Sequence, residues 1–461
     1  MSDGPRVVPF TPDPSAPIDV LTELGAAERF ARIAGDAVRY DHARGRWLLW
    51  DAHHWTPDEN GTITCIAADL VREWQRDAVA ISDHDQRARA LKFTLALERH
   101  TGIANVLALA KDLPPLADAG RAFDVDPWLL GVKNGVVDLR TGTLRPGQRD
   151  DRITMQARAA FDPDAPCPRW TQLCAEVFGG DAAVIDFVQR AVGYSLTGDS
   201  REQCVFMGYG HGANGKSTFL TTLAHVLGDY AWTMPFATIE LQQRHAIPND
   251  LAALAGRRFV VASETNDGTL LNESRLKALT GGDPISARFL HAEFFTFEPV
   301  AKFWLAVNHL PRVRDDSHAF WRRMRVLPFL QTFDVDTTLA DVLRAEAPGI
   351  LAWAVQGTRA WQRDGLTAPE SVRRATADYR RDSDVLDEFL ATACERDDGA
   401  EVRGSEIYQH YQAWATRVGL TERERLSATA FGRKLSERFP RQHTEHGGVY
   451  VGLARRVLED G

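Results

Sequence analysis

Eight consecutive residues, Gly210-His211-Gly212-Ala213-Asn214-Gly215-Lys216-Ser217, carry the clearest chemistry in the chain. They fit G-x-x-x-x-G-K-[ST], and each position has a physical use. Glycines let the backbone turn so that successive N–H groups converge on one anion; Lys216 reaches the β- and γ-phosphates; the Ser217 hydroxyl suits Mg²⁺. The helix that begins there adds the positive end of its dipole. Gly210, Gly212, Ala213, Asn214, Gly215, Lys216, Ser217 and Thr218 are therefore expected to bind ATP with Mg²⁺. A chance glycine-rich turn is the plain alternative. The apolar run Cys204–Met207 before the loop and the helix-like STFLTTLAHVLG after it argue for the phosphate cradle.

Such a cradle needs partners at neighbouring strand ends. The apolar run Phe259–Ser263 leads into Glu264, which would activate the attacking water and share the metal with Ser217. A surface glutamate at a strand end is the bland reading. The run Phe303–Val307 leads into Asn308, whose amide would bridge the γ-phosphate and the water, or else would start the turn before His309-Leu310-Pro311. The segment Trp321-Arg322-Arg323-Met324-Arg325 offers an arginine for the γ-phosphate of a neighbouring copy; a solvated basic face is the alternative.

The elements that must position these groups alternate between strand and helix, which implies an α/β core. At 461 residues, roughly two to four domains are expected. The expected division is a flexible leader over 1–17, an α+β domain over 18–160, the ATPase domain over 161–335, a helical linker region over 336–383 and a winged helix over 384–461. The last is read as helices in VLDEFLATACER, GSEIYQHYQAWATRVG and SATAFGRKLSERF, followed by a Gly-Gly hairpin. Apolar residues at 44% and charged residues at 25% are those of an ordinary globular chain. No run approaches a membrane span and no signal pattern opens the chain, so a cytoplasmic location, in a host cell if phage-encoded, is expected. Five scattered cysteines argue against a disulfide framework or a zinc site. The net charge of −9 excludes an indiscriminate nucleic-acid coat but allows a local basic channel.

The order GANGKST, a strand ending SET, RLKALTGGDPISARFLHAEFFTFEP, FWLAVNHLP and AFWRRMRVLPF resembles the superfamily 3 helicases, and more narrowly the poxvirus, phage and plasmid primase-helicase family. ERFA, GRWLLWD and NGVVDLRTGTL look like that family's amino-terminal region; GSEIYQHYQAWA and SATAFGRKL look like its carboxy-terminal winged helix. The resemblance implies an AAA+-like P-loop core with Lys216 and Ser217 as Walker A, Glu264 as Walker B, Asn308 as sensor 1 and Arg322 or Arg323, the latter slightly favoured, as the finger. It also implies a hexameric ring that moves 3′ to 5′ on single-stranded and forked DNA. A hairpin before sensor 1 would enter the pore, making Arg288, His291 and Lys302 candidates for strand phosphates. Arg433, Lys434 and Arg438 would contact duplex through the winged helix. The lone acid at Walker B departs from many superfamily 3 members. Any primase or polymerase is expected to be a separate partner.

A reading from another class remains: an ATP-regulated DNA-binding switch or assembly factor that unwinds nothing. A small-molecule phosphotransferase leaves the arginines, hairpin and winged helix without roles.

Overall fold

The computed structural model describes residues 20–241, 249–263, 269–288, 294–422, 425–444 and 447–456. The expected leader, Glu264 and His291 lie outside them.

Five parallel strands form the central sheet, in the order Met324–Pro328, Val205–Tyr209, Lys302–Val307, Phe259–Ser263, Ala231–Thr233. Both faces are covered, which is why these strands read as continuous apolar runs rather than as alternating ones. Alternation is still present, hidden in which core each residue joins. Phe206, Phe259, Val261 and Trp304 enter one core, while Met207, Val260, Phe303 and Leu305 enter the other. Trp304 stacks on Phe206 with ring centroids 4.3 Å apart.

The helix Lys216–Leu227 follows the first of these strands and packs on the face of Trp304. The same face takes the helices Pro168–Val177, Ala182–Leu196 and Ala347–Asp364. Ala182–Leu196 and Ala347–Asp364 touch backbone to backbone. A Cβ on Gly193 would lie 2.0 Å from the Thr358 nitrogen, and one on Gly357 would lie 2.1 Å from the Gln189 oxygen. The stretch expected to be a linker is thus part of the core, and its third helix, Glu370–Asp382, covers the edge strand Met324–Pro328.

Residues 129–161 also belong to this core. Leu129–Val132, Gly135–Asp138 and Thr143–Arg145 form an antiparallel sheet, and Leu130, Val137, Leu139 and Phe161 pack with the helices between residues 168 and 227. The Tyr230 hydroxyl accepts from Gly131 N at 2.9 Å and donates to Met155 O at 3.0 Å. The expected boundary near residue 160 therefore falls inside a shared hydrophobic cluster. Ahead of it, the helices Glu23–Ala34, Thr62–Val79 and His100–Ala110 pack with the sheet His54–Pro57, Arg46–Asp51, Val38–Asp41, Ala117–Asp118 around Trp74 and Phe30.

At the carboxy end, the helices Val385–Ala393, Gly404–Arg417 and Ala428–Ser436 enclose Phe389, Tyr411 and Trp414 together with a three-stranded antiparallel sheet of Cys394–Arg403, Gly447–Arg455 and Arg441–Thr444. No helix among the described residues is long and apolar enough to cross a membrane.

Candidate nucleotide site and basic surfaces

The loop 210–215 lies at the carboxyl end of the central sheet, where α/β folds place their ligands. Its shape depends on glycine at two points. A Cβ on Gly210 would sit 2.2 Å from both Asn214 Nδ2 and Phe329 O; Gly215 has φ +79°, and its Cβ would press on Val177 at 2.5 Å. Asn214 is buried and fastens the loop, donating to Phe329 O at 3.2 Å while its Oδ1 accepts from Lys216 Nζ at 2.9 Å.

Lys216 is only 4% exposed. Its ammonium also donates to Gly210 O at 2.6 Å and to Asn308 Oδ1 at 3.3 Å. All three acceptors are neutral oxygens, and no carboxylate among the described residues pairs with it. Burial lowers its pKa, because taking a charge out of water disfavours the charged form. Ser217 follows with its side chain exposed at the first turn. That hydroxyl fits one protein ligand of a magnesium ion whose other ligands are phosphate oxygens and water. Among the described residues no cluster of three or more His, Cys, Asp or Glu side chains forms a metal site.

The strand Phe259–Ser263 ends exposed at Ser263, whose register partner is Ala306 on the strand that leads into Asn308. The structure thus brings Lys216, Asn214 and Asn308 together.

The arginines lie at the other end of the same sheet. Met324 pairs with Val205 and Pro328 with Tyr209, so Arg322 and Arg323 precede the strand end remote from the loop, about 13 Å away along the strand. The two diverge. Arg322 is exposed and hydrogen-bonded to Gln203 Oε1. Arg323 is half-buried, bonded to Thr280 Oγ1 at 3.2 Å and to Ala319 O, and burial lowers its pKa. Arg322 is the more accessible of the two.

The basic residues proposed for DNA separate sharply. The hairpin exists, with Ile285–Ala287 paired to Phe295–Phe297; Arg288 leads into its tip, with its guanidinium 4.9 Å from the ring centre of exposed Phe294. Lys302 is a correction. It is 2% exposed, donates to Thr197 O and to Val300 O at 3.0 Å, and sits 4.7 Å from the Tyr194 ring centre. The cause is its register: it shares a strand face with Trp304, and both point into a core. Arg258, just before the neighbouring strand, donates to Leu196 O at 2.8 Å. Two cations thus meet the carboxyl end of helix Ala182–Leu196, where the dipole favours positive charge. Burial, then Arg258, drives the Lys302 pKa well down.

Lys434 and Arg438 are also corrected. Lys434 is 6% exposed and ion-paired with Asp316 at 2.9 Å, because helix Ala428–Ser436 lays that side against the loop before Ser317. Arg438 is held by Asp384 and, at 2.6 Å, by Asp387. Of the three, Arg433 alone is exposed. Sequence reading missed the double role of Asn214 and the buried pair Arg258 and Lys302; the period-2 pattern through Trp304 was the available signal for Lys302.

Fold and site together define a mixed α/β protein with a lysine-centred loop at the end of a parallel sheet. Residues 27–179 match the family described as D5 N terminal like, and residues 208–323 match a family of unknown function, DUF5906. The chain is 27% identical over 321 residues to the putative helicase L207/L206 of Acanthamoeba polyphaga mimivirus, covering 64% of this chain and 33% of that protein. It is 24% identical over 423 residues to the putative helicase 022R of Frog virus 3, covering 72% and 43% respectively. Over 213 residues it is 27% identical to the putative primase C962R of African swine fever virus, covering 44% and 22%. The chain spans less than half the length of each of these relatives. The C-terminal region of NrS-1 superposes with a TM-score of 0.49 at 9% identity, over 94% of this chain and 100% of that one. A D5-like amino-terminal domain followed by the second family, in a chain related to viral helicases and primases, fits the superfamily 3 primase-helicase family.

Proposed function

We propose that the chain is an ATP-dependent DNA helicase of a phage, prophage or plasmid replication system. ATP and Mg²⁺ are held by the loop 210–218, Glu264 activates water and Asn308 orients it. The observation that carries this reading is the Lys216 ammonium, buried among neutral oxygens at the ends of two neighbouring parallel strands. A buried cation without a counter-charge is costly, and an incoming triphosphate supplies that charge. The relatives named as putative helicases support a role in replication.

In this reading the copies form a hexameric ring that moves 3′ to 5′ on single-stranded DNA, with Arg322 reaching the nucleotide of the next copy. Its position at the far end of the sheet from its own loop supports action in trans. The hairpin with Arg288 would grip the strand, and the carboxy-terminal helices and sheet would serve as a winged helix.

The test is ATP-driven separation of forks carrying only a 3′ or only a 5′ tail, with Lys216→Ala as the blank. Unwinding of the 3′-tailed fork alone, absent in the variant, is expected. An active ATPase that separates neither fork would sink the motor reading and favour a switch.

A further inference from the structure

A cavity of about 730 Å³ opens beside the edge strand Met324–Pro328, between helix Glu370–Asp382 and the loop around Leu366. Four arginines line it: Arg322, Arg325, Arg373 and Arg380. The nearby acids are fewer and engaged. Glu202 accepts from Trp361 Nε1 at 2.8 Å, and Glu370 pairs with Arg373 at 2.5 Å. In a chain of net charge −9, a cleft with this excess of cations runs against the molecular average.

Two of the lining residues carry a buried donor without a partner. Arg325 spends Nη1 on Arg322 O at 2.7 Å and on Met324 O at 2.9 Å, which fixes its guanidinium plane. Its buried Nε has no hydrogen-bond partner, and neither has the indole nitrogen of Trp321, a residue 7% exposed that also lines the cavity. Buried donors are rarely left so, and a fixed guanidinium fork matches phosphate oxygens.

We propose that this cavity is a second phosphate site, taking a small phosphate-bearing anion: inorganic pyrophosphate, or the phosphates of a nucleotide whose base rests on Trp321 and Leu366. It lies at the opposite end of the sheet from Lys216, so one chain cannot close both sites on one triphosphate.

The test uses the full chain carrying Lys216→Ala, which disables the loop and makes the result independent of whether the loop takes ATP. Equilibrium dialysis with labelled pyrophosphate should show one saturable equivalent. Adding Arg325→Gln should weaken it about tenfold or more, as loss of a charge-assisted pair would. The double change Arg373→Gln, Arg380→Gln, at exposed positions, should do likewise and guards against misfolding at Arg325. ATP binding the Lys216→Ala chain more tightly than pyrophosphate would identify a nucleotide; equal affinity would identify the phosphates alone. The proposal is overturned if Lys216→Ala abolishes all pyrophosphate binding, if the arginine variants bind unchanged, or if only a single-stranded oligonucleotide is lost with them.

Discussion

Asn214 and Lys302 show how much a single buried polar group can decide. Asn214 serves two neighbours at once, so Asn214→Ala leaves Phe329 O without its donor and Lys216 without one acceptor. Unfolding free energy should fall by about 1–3 kcal/mol in urea titration, and ATP affinity should fall with it. Lys302 makes a prediction in pH. Its folded pKa lies well below the ordinary 10.5, so the unfolded chain binds more protons between those two values. Stability from this group therefore rises with pH through that window. Lys302→Met should flatten the rise, read as the urea midpoint between neutral and alkaline pH; an unchanged slope would refute the assignment. The loop residues were legible because G-x-x-x-x-G-K-[ST] is a short pattern of fixed spacing. Lys302 was misread because its charge was weighed and its strand face was not. The paired states of Lys434 and Arg438 depend on Asp316, Asp384 and Asp387, distant residues that no local pattern couples to them.

The elements of the central sheet were readable for a related reason. Strands buried on both faces must be apolar throughout, and the runs at 204–207, 257–263 and 301–308 stand out in the sequence. Helix pairing was not readable, since Gly193 and Gly357 look like ordinary mid-helix glycines until the two helices are seen in contact. Gly357→Ala places a methyl against the Gln189 backbone, which cannot move aside as a flexible side chain would. A loss at the upper end of about 1–3 kcal/mol is expected by thermal melting. Gly404→Ala is the control, where a Cβ would find its nearest neighbour at 3.4 Å; equal melting of the two variants would contradict the close crossing.

On the scale of the whole molecule, the central sheet depends on chain from both sides of it. Leu130 and Leu139 come from before the expected ATPase boundary, and Leu351 and Trp361 from after it. A fragment of residues 161–335 should therefore expose apolar surface and aggregate, whereas residues 122–382 should give a cooperative melt. Calorimetry and size-exclusion chromatography of the two fragments decide the matter. The Gly193 and Gly357 contact also sets an order in time. The sheet has all its strands once Pro328 has been made, yet the face of helix Ala182–Leu196 stays bare until helix Ala347–Asp364 has left the ribosome. At synthesis rates of about 5–20 residues per second, that interval lasts seconds, during which the nascent chain presents a glycine-notched apolar groove to whatever chaperone stands at the exit tunnel.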